Sequence, residues 1–410
     1  MRPLSDQDTA ELRAGKGRRL RVAFIVSHPI QYYAPLYQRL ARRHEVQIKV
    51  FFTWHAGTHA VHDHGFGMPV AWDIPLAGGY DFEAVENVSR DPGTHHFWGL
   101  RNPSLVSRIL DWRPDAVHVT GWAWASHLKA LKALHDRKVP LLFRGDSHLL
   151  DDRGVGMRWW FKKMFLRHIY RWPALFLVTG KANRAYYQAF GVEGSKLVNC
   201  PHSIDVSRFA ASAAVFEDEA RRWREDLGIS SHQTVLLFAG KFEQRKRPLE
   251  FMKAVEELKR KDAVAIMVGG GELQAEIEAA AKARPDLFKI LPFQNQSRMP
   301  VVYRLADLFV LPSANGETWG LAVNEALACG RPVLVSDKVG CAADVVDKSC
   351  GRVFSWAESG DLSKTLSTFL DDLDLLRAMR GAASARAWDF DLEKTEAALL
   401  QGLMRLSLHG

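Results

Sequence analysis

Residues 308–337, LFVLPSANGETWGLAVNEALACGRPVLVSD, carry the pattern that decides the fold class. An apolar, β-rich run at 308–313 is followed by a turn, a helical segment and a second apolar run at 332–337. Runs this apolar, without alternation of polar and apolar side chains, are typical of strands buried on both faces of a parallel sheet. The stretch therefore predicts a strand–helix–strand unit with a right-handed crossover.

The same pattern recurs along the whole chain. Eight further apolar runs alternate with helical patterns and lie at 21–27, 46–52, 115–121, 140–146, 174–180, 234–240, 263–271 and 288–293. This alternation predicts an α/β fold of parallel sheets. A chain of 410 residues is too long to fold around a single hydrophobic core of ordinary size. We therefore expect two doubly wound, Rossmann-like domains that face each other across a cleft. Ligands of such sheets bind beyond the carboxyl ends of the strands.

A charged segment interrupts the strand pattern between about residues 200 and 232 and predicts the domain boundary. We expect a first domain at 21–210, a second at 211–387, and a helix at about 388–408 that packs back on the first domain. Residues 1–20 are polar and lack the apolar stretch of a signal peptide, so we expect a mobile tail.

The composition indicates a soluble globular protein, with 47% apolar and 25% charged residues. Four cysteines without CxxC spacing favour a reducing compartment, and no apolar run reaches the roughly 20 residues of a membrane span. We therefore expect a cytoplasmic protein. The net charge of +8 is compatible with phosphorylated ligands, an anionic membrane or nucleic acid. Because the sequence contains no recognised nucleic-acid-binding module, we expect no nucleic-acid partner.

Two carboxylates mark the middle of the opening stretch. We expect a helix that begins near Thr318, its N-cap, and ends at Gly330. The apolar neighbours of Glu325 then predict that its carboxylate is buried and needs partners. A backbone amide or a buried arginine is one interpretation, and ligand hydroxyls are the other. Glu317 precedes the N-terminal end of the helix, whose partial positive charge can bind an anion. Gly320 has no side chain and therefore allows a ligand to approach the backbone closely.

A basic element follows the run at 234–240. It contains Lys241, Arg245, Lys246 and Arg247 within KFEQRKRP. A solvated charge run is one interpretation. A diphosphate site is the other, because the cluster lies at the carboxyl end of a strand in a domain that also offers a helix N-terminus.

Taken together, these motifs resemble the retaining glycosyltransferases of family 4, which have the GT-B fold. The resemblance rests on the E-x7-E pair Glu317 and Glu325, on GKFEQRKRP, on IMVGGGEL and LPFQNQSRMPVVY between them, and on the interdomain stretch PHSIDVSRF. It covers nearly the whole chain. SHPIQYYAPLYQRL at 27–40 resembles a narrower subgroup whose first strand ends in HPIQY, and GFGMPVAWDIPLAGGY (65–80) and FRGDSHL (143–149) also resemble it.

The resemblance implies transfer of a sugar from a nucleotide-sugar to an acceptor hydroxyl with retention of anomeric configuration. It implies Glu317 and Lys246 as catalytic residues, with Glu317 facing the donor sugar and Glu325 binding the ribose. The donor-binding set is Lys241, Arg245, Lys246, Phe293, Asn295, Glu317, Thr318, Trp319, Gly320, Leu321 and Glu325. Lysines and the amides at 319–321 would neutralise the leaving diphosphate, so neither a metal nor another cofactor is implied. A UDP-sugar is the favoured donor and a GDP-sugar the next.

The first half of the chain departs from the family pattern at one position. Many members carry an H-x-H arrangement, whereas this chain has His118, Val119 and Thr120. Because the second histidine is thought to contact the donor sugar, its absence leaves the sugar open. The residues we expect to line the cleft on the acceptor side are His28, Gln31, Tyr32, Thr120, Trp122, Arg144 and His148.

The segment 158–172, RWWFKKMFLRHIYRW, combines five Lys/Arg with six aromatic residues and no acid. One interpretation is a helix on an anionic membrane, with peripheral attachment at the inner face and a lipid-linked or other glycan acceptor. The other is a crossover helix whose aromatic residues pack on the sheet. Because no other motif supports a metal site, we expect the histidines at positions 55, 59, 62 and 64 to lie in a loop rather than to bind zinc.

Two other functions compete with the transferase. One is a nucleotide-sugar epimerase of the same fold, or a glycan phosphorylase, which is usually far longer and needs pyridoxal phosphate. The other is a partner subunit that binds a sugar nucleotide without catalysis. Intact Glu317, Glu325 and Lys246 argue against the loss of activity.

Overall fold

The computed structural model describes residues 18–54, 61–63, 65–151 and 156–409. These residues form two compact parallel α/β domains, which confirms the predicted fold class. The first domain contains residues 18–54, 75–151, 156–201 and 392–409. The second contains residues 61–63, 65–74 and 202–391.

The described strands are β1 (Leu20–Val26), β2 (Val46–Phe52), β3 (Val61–Asp63), β4 (Met68–Val70), β5 (Phe82–Ala84), β6 (Ala116–Thr120), β7 (Leu141–Arg144), β8 (Leu175–Val178), β9 (Leu197–Asn199), β10 (Thr234–Lys241), β11 (Ala263–Gly270), β12 (Phe288–Pro292), β13 (Leu308–Leu311), β14 (Val333–Ser336) and β15 (Gly351–Phe354).

The described α-helices are α1 (Ala34–Ala41), α2 (Leu105–Asp111), α3 (Ala125–Asp136), α4 (Met157–Ile169), α5 (Lys181–Ala189), α6 (Val206–Ala210), α7 (Ala213–Asp226), α8 (Pro248–Glu257), α9 (Gln274–Ala283), α10 (Met299–Arg304), α11 (Leu321–Ala328), α12 (Ala342–Val345), α13 (Asp361–Asp371), α14 (Leu373–Ala387) and α15 (Leu392–His409).

Each domain is built on one parallel sheet. The strand order is β5-β2-β1-β6-β7-β8-β9 in the first domain and β12-β11-β10-β13-β14-β15 in the second. The order of the strands reverses between β1 and β6 in one sheet and between β10 and β13 in the other. Such switch points open a crevice at the carboxyl ends of the strands, where doubly wound folds bind ligands.

All ten predicted apolar runs are strands in the structure. They are buried because helices cover both faces of each sheet; all eight residues of β11, for example, are buried. Five strands were not predicted: β3, β4, β5, β9 and β15. Each has only three or four residues and does not lie in an apolar run as long as those that identified the other ten strands.

The domain boundaries differ from the prediction in two places. The first domain ends at Pro201 rather than at residue 210, because α6 packs against α10 and α11 of the second domain. Residues 61–74, which the sequence assigns to the first domain, join the second. The helix expected at 388–408 is α15, which packs on α1 and β8 of the first domain. The predicted tail falls largely on residues 1–17, which lie outside the described part of the chain.

Candidate functional site

Lys246 and Glu317 form an ion pair at the switch point of the second sheet. Lys246 closes a short 3-10 turn after β10, and Glu317 lies in the loop after β13. The Lys246 ammonium donates a hydrogen bond to Oε2 of Glu317, and the Ser313 hydroxyl donates to the same oxygen at 3.1 Å. Only 15% of the Lys246 side chain and 11% of the Glu317 side chain are exposed. The structure thus brings the two residues predicted as catalytic into direct contact.

The ion pair keeps Glu317 ionised. Burial by itself would raise the pKa of Glu317, but the charge and hydrogen bond of Lys246 outweigh burial, and the pKa lies below its usual value. At neutral pH this carboxylate therefore has no proton to donate. Its chemistry is to accept hydrogen bonds from hydroxyls and to stabilise nearby positive charge, rather than to act as a general acid.

The helix beyond Glu317 starts later than the sequence predicts. It begins at Leu321, and its N-cap is Gly320 rather than Thr318, so the predicted cap is wrong. The carbonyls on either side of Thr318 accept hydrogen bonds from the amides of residues 340–341, which keeps this stretch out of the helix. The chain then enters α11 through Gly320 at φ 95°, a left-handed conformation that favours glycine.

Glu325 is buried inside α11. Only 2% of the residue is exposed, as the apolar spacing predicts. The Tyr303 hydroxyl donates a hydrogen bond of 2.6 Å to Oε2 of Glu325. Neither sequence interpretation named Tyr303, because it lies 22 positions away and no motif links the two residues. The buried Glu325 carboxylate therefore has a fixed polar partner inside the domain.

The basic element is a row of ion pairs rather than a solvated charge run. Lys241 pairs with Asp63 at 2.7 Å, and Arg245 pairs with Glu243 at 2.6 Å. Arg245 also donates to the carbonyl of Gly316 at 3.1 Å, next to Glu317. The element and the Glu317 loop are therefore physically joined, and their charged side chains meet as ion pairs at the carboxyl ends of β10 and β13.

Phe293 and Asn295 follow β12 at the same edge of the sheet. The Phe293 ring makes an edge contact with Phe66 at 4.7 Å between centroids and another with Trp72 at 6.2 Å. The Asn295 side chain donates to the carbonyl of Ala71 at 2.6 Å. These three partners lie in residues 61–74, so a segment that the sequence analysis did not assign to this site covers part of it.

The residues predicted for the acceptor side lie after three adjacent strands of the first domain. His28, Gln31 and Tyr32 follow β1, Thr120 and Trp122 lie at the end of β6, and Arg144 and His148 lie at the end of β7. His28, Gln31, Tyr32, Thr120, Trp122 and His148 are all half-buried. They therefore share the carboxyl edge at the switch point of the first sheet.

Arg144 has a different environment from the other acceptor-side residues. It is 4% exposed and donates hydrogen bonds to the carbonyls of Cys200 at 2.9 Å and Pro201 at 3.3 Å. Together with Thr120 it lines a small internal cavity of the first domain beside His118. Arg144 therefore holds the end of the first domain at Pro201, and its role toward an acceptor stays a prediction.

Helix α4 exposes three of its aromatic residues, whereas Trp159 is half-buried against Phe190. Its buried residues are Leu166 and Ile169. The exposed large apolar side chains are Met157, Trp160, Phe161, Met164 and Phe165, each at least 43% exposed. The interpretation in which the aromatic side chains pack on the sheet is thus wrong for Trp160, Phe161 and Phe165.

One cluster among the described residues has the composition of a metal site. Asp91, His95 and His96 place their ligand atoms within 4.8 Å of one another in the first domain. Contacts with Asp91 already account for this arrangement: His95 Nε2 lies 3.1 Å from Oδ2 of Asp91, and His96 Nε2 lies 3.0 Å from the backbone carbonyl of Asp91. The histidines considered in the sequence at positions 55, 59 and 64, and the side chain at 62, lie outside the described residues. None of the described helices is long and apolar enough to cross a membrane.

A comparison with known protein families gives a match within the second domain. Residues 219–386 match the family model described as Glycosyl transferases group 1. The matched range contains all eleven residues predicted for donor binding. It supports the group 1 glycosyltransferase family, in agreement with the resemblance to family 4.

Curated relatives match about half of the chain. A D-inositol 3-phosphate glycosyltransferase of Nocardia farcinica is 31% identical over 234 residues, which are 54% of this chain and 50% of the relative. A protein of the same name from Salinispora arenicola is 28% identical over 48% of this chain and 47% of its own length. The chain spans about half the length of the curated relatives it matches.

Solved structures match almost the whole chain. Anabaena HepE in complex with UDP and glucose has a TM-score of 0.68 at 15% identity, over 94% of this chain and 100% of its own. Sucrose-phosphate synthase of Thermosynechococcus elongatus has a TM-score of 0.68 at 18% identity, over 96% and 100%. At this identity the likeness establishes the fold, and the fold is that of the GT-B glycosyltransferases.

Proposed function

We propose that this protein is a retaining glycosyltransferase that moves a sugar from a nucleotide diphosphate sugar to a hydroxyl group of an acceptor. The observation that carries the proposal is the Lys246–Glu317 ion pair at the switch point between β10 and β13. A cation for the leaving diphosphate and a carboxylate for the sugar are needed within a few ångströms of each other in this reaction. The group 1 family match over residues 219–386 supports the same conclusion.

The roles follow from position. Lys246 and Lys241, at the end of β10, neutralise the diphosphate as the bond to the sugar breaks, with help from the amides at 319–321. Glu317, which its ion pair keeps ionised, accepts hydrogen bonds from the sugar and stabilises the positive charge that develops on its ring. When the donor binds, Lys246 exchanges part of its contact with Glu317 for a phosphate oxygen. Lysine side chains supply this charge, so the proposal requires no metal.

Glu325 and the residues after β12 bind the nucleoside. Glu325 lies one helical turn inside α11 and accepts hydrogen bonds from the ribose hydroxyls beside Tyr303. Phe293 and Asn295 contact the base. We propose a uridine nucleotide as the donor and a guanosine nucleotide as the second candidate. HepE, a structural neighbour, was solved with UDP and with UDP-glucose, which supports uridine.

The acceptor is proposed to be lipid-linked and held at the inner face of a membrane. The observation is α4, which presents Trp160 and Phe161 to solvent beside exposed Lys162. Aromatic side chains insert at the level of the lipid headgroups, and basic residues attract anionic lipids by about 1 kcal/mol each. Attachment through α4 would make the protein a peripheral, salt-sensitive membrane protein of the cytoplasm.

A nucleotide-sugar panel tests the proposal against its competitors. The protein is incubated with UDP- and GDP-sugars in the presence of EDTA, and the products are followed by chromatography. Without an acceptor, a transferase slowly hydrolyses the donor to free sugar and nucleotide diphosphate. With a membrane extract, it releases nucleotide diphosphate faster, and the sugar is joined to the acceptor. Interconversion of sugars would instead support an epimerase, and binding without any product would support a non-catalytic subunit.

A further inference from the structure

A β-hairpin from the first half of the chain lies on the donor residues of the second domain. Strands β3 and β4 pair antiparallel, and the tip of the hairpin lies against the carboxyl end of β10. A Cβ atom added to Gly65 would lie 2.4 Å from Oε1 of Glu243 and 2.5 Å from Cδ of Lys241. The tip is therefore in contact with Lys241 and Glu243, and a side chain at position 65 would displace the ends of these two side chains.

The hairpin supplies a carboxylate to Lys241. Oδ1 of Asp63 lies 2.7 Å from the Lys241 ammonium, and about 29% and 27% of the two side chains are exposed. The same oxygen accepts the amides of Gly65 and Phe66 at 2.8 and 3.1 Å, which folds the turn around it. The Lys241 ammonium also lies 5.0 Å from the centre of the Phe66 ring. The hairpin thus surrounds Lys241 with an anion and an aromatic face.

A second group of contacts fixes the far end of the hairpin. Trp72 lies against Phe293, and the amide of Asp73 donates to Oδ1 of Asn295 at 3.3 Å. The Asp73 carboxylate accepts the amide of Ser297 at 3.1 Å. Both Phe293 and Asn295 belong to the proposed base site, so the hairpin contacts the phosphate end and the base end of the same site.

We propose that this hairpin is an internal competitor of the donor, in which Asp63 takes the place of a donor phosphate on Lys241. The inference rests on the proposed function, because it assumes that Lys241 binds a diphosphate. Two anions at one ammonium repel each other, so a bound nucleoside diphosphate displaces Asp63 and, with it, the tip of the hairpin. The hairpin then sets the affinity for the donor and shields the charged site in its absence.

Isothermal titration with UDP tests the competition. Asp63→Asn removes the charge but keeps an oxygen that can accept the amides of Gly65 and Phe66, so the turn is retained. We expect the Kd for UDP to fall about two- to fivefold, the size of a partly exposed ion pair. Asp262→Asn is the matched control, since it removes one charge at the amino end of β11, at the opposite edge of the sheet, and leaves the Kd unchanged.

A second variant tests the competition by changing the packing of the hairpin tip instead of its charge. Gly65→Ala adds a methyl group that the ends of the Lys241 and Glu243 side chains must move to accommodate. We expect it to loosen the tip and to lower the Kd for UDP as Asp63→Asn does. An unchanged or higher Kd in both variants overturns the proposal.

Hydrogen exchange distinguishes a hairpin that UDP displaces from a hairpin that closes over bound UDP. If the hairpin competes with UDP, saturating UDP speeds the exchange of the amides at 65–67 in the wild-type protein. Slower exchange would show that the hairpin closes over the nucleotide, and this result overturns the proposal. Failure of the proposed function gives a different result, because the wild type and Asp63→Asn would then both fail to bind UDP and GDP at millimolar concentration. Binding that is equal in all variants contradicts only the hairpin inference.

Discussion

At the scale of single residues, the site depends on two carboxylates with different environments. Glu317 is in contact with Lys246 at the edge of the sheet, whereas Glu325 is 2% exposed and is bonded to Tyr303 inside α11. In the proposed function, Glu317 meets the sugar, whose charge changes during the reaction. Glu325 meets the ribose, whose charge does not change. This difference predicts different kinetic effects of the two residues.

We predict that Glu317→Gln lowers kcat for sugar release about 10²–10³-fold with little change in the Kd for UDP, since it removes charge from the reacting centre. Glu325→Gln is expected to weaken UDP binding about 10- to 100-fold, the effect of losing a charged hydrogen-bond partner worth about 1.5–3 kcal/mol. Titration calorimetry and initial rates measure the two effects, with Asp262→Asn as control. Equal UDP affinity of Glu325→Gln and wild type would exclude the ribose role.

At the scale of elements, the start of α11 positions the loop that carries Glu317 in the proposed donor site. Gly320 lies at φ 95°, and a Cβ atom there would lie 2.9 Å from Cγ1 of Val339 and 3.0 Å from Cδ2 of Leu311. Both the backbone conformation and the space therefore require glycine. The loop that carries Glu317 reaches the helix through this single residue.

We predict that Gly320→Ala lowers the free energy of unfolding by about 1–3 kcal/mol, because it combines a left-handed alanine with two close contacts. The matched control is Gly381→Ala inside α14, where a Cβ atom meets nothing within 4 Å. There, alanine is expected to stabilise the helix by about 0.5–1 kcal/mol. Urea unfolding measures both changes, and equal stability of Gly320→Ala and wild type would contradict the account of the helix start.

Helix α4 carries the second prediction at this scale. We expect the protein to sediment with anionic phosphatidylglycerol vesicles at low salt and to be released as salt is raised. Trp160→Ser/Phe161→Ser and Lys162→Glu/Lys163→Glu should each reduce binding, whereas Val215→Ser, an exposed apolar residue of α7 in the second domain, should not. Protein that stays in the supernatant at low salt, or variants that bind like wild type, would favour a soluble acceptor.

The sequence predicted elements where a local pattern decides the structure. Continuous apolar runs identified ten strands, and Gly330 follows α11 at φ 67° as the predicted terminating glycine. The predicted start of α11 was wrong because hydrogen bonds from the amides of residues 340–341 to the carbonyls on either side of Thr318 override its capping preference. The hairpin at 61–74 was missed because its strands have three residues each and its partners lie more than 170 positions away. Nor does any pattern in the sequence link Tyr303 to Glu325.

At the scale of the whole molecule, two buried histidines of the first domain are expected to lower its stability in acid. Burial, reinforced by the charge of Arg144, lowers the pKa of His118 to about 3, and burial lowers that of His127 to about 4. In the unfolded chain both titrate near 6.5. Between these values the unfolded state binds more protons than the folded state, so acid favours unfolding.

We therefore predict that the first domain has its full stability above about pH 6.5 and loses it as the pH falls toward 4. Each histidine contributes a slope of up to about 1.4 kcal/mol per pH unit. Urea unfolding at a series of pH values, followed by hydrogen exchange in β6 and α3, measures the effect. Stability that is constant or rises between pH 6.5 and 5 would contradict the neutral, buried state of these residues.

The central claim is that Lys246 and Glu317 together transfer a sugar from a nucleotide diphosphate without a metal. The most direct measurement is the rate of UDP release from UDP-sugars, with a membrane extract as acceptor and EDTA present, for wild type and Lys246→Met. We predict release by the wild type that EDTA does not change, and a loss of at least about 100-fold in Lys246→Met that added Mg²⁺ or Mn²⁺ does not restore. Release that is abolished by EDTA, or that continues at the wild-type rate in Lys246→Met, would contradict the account.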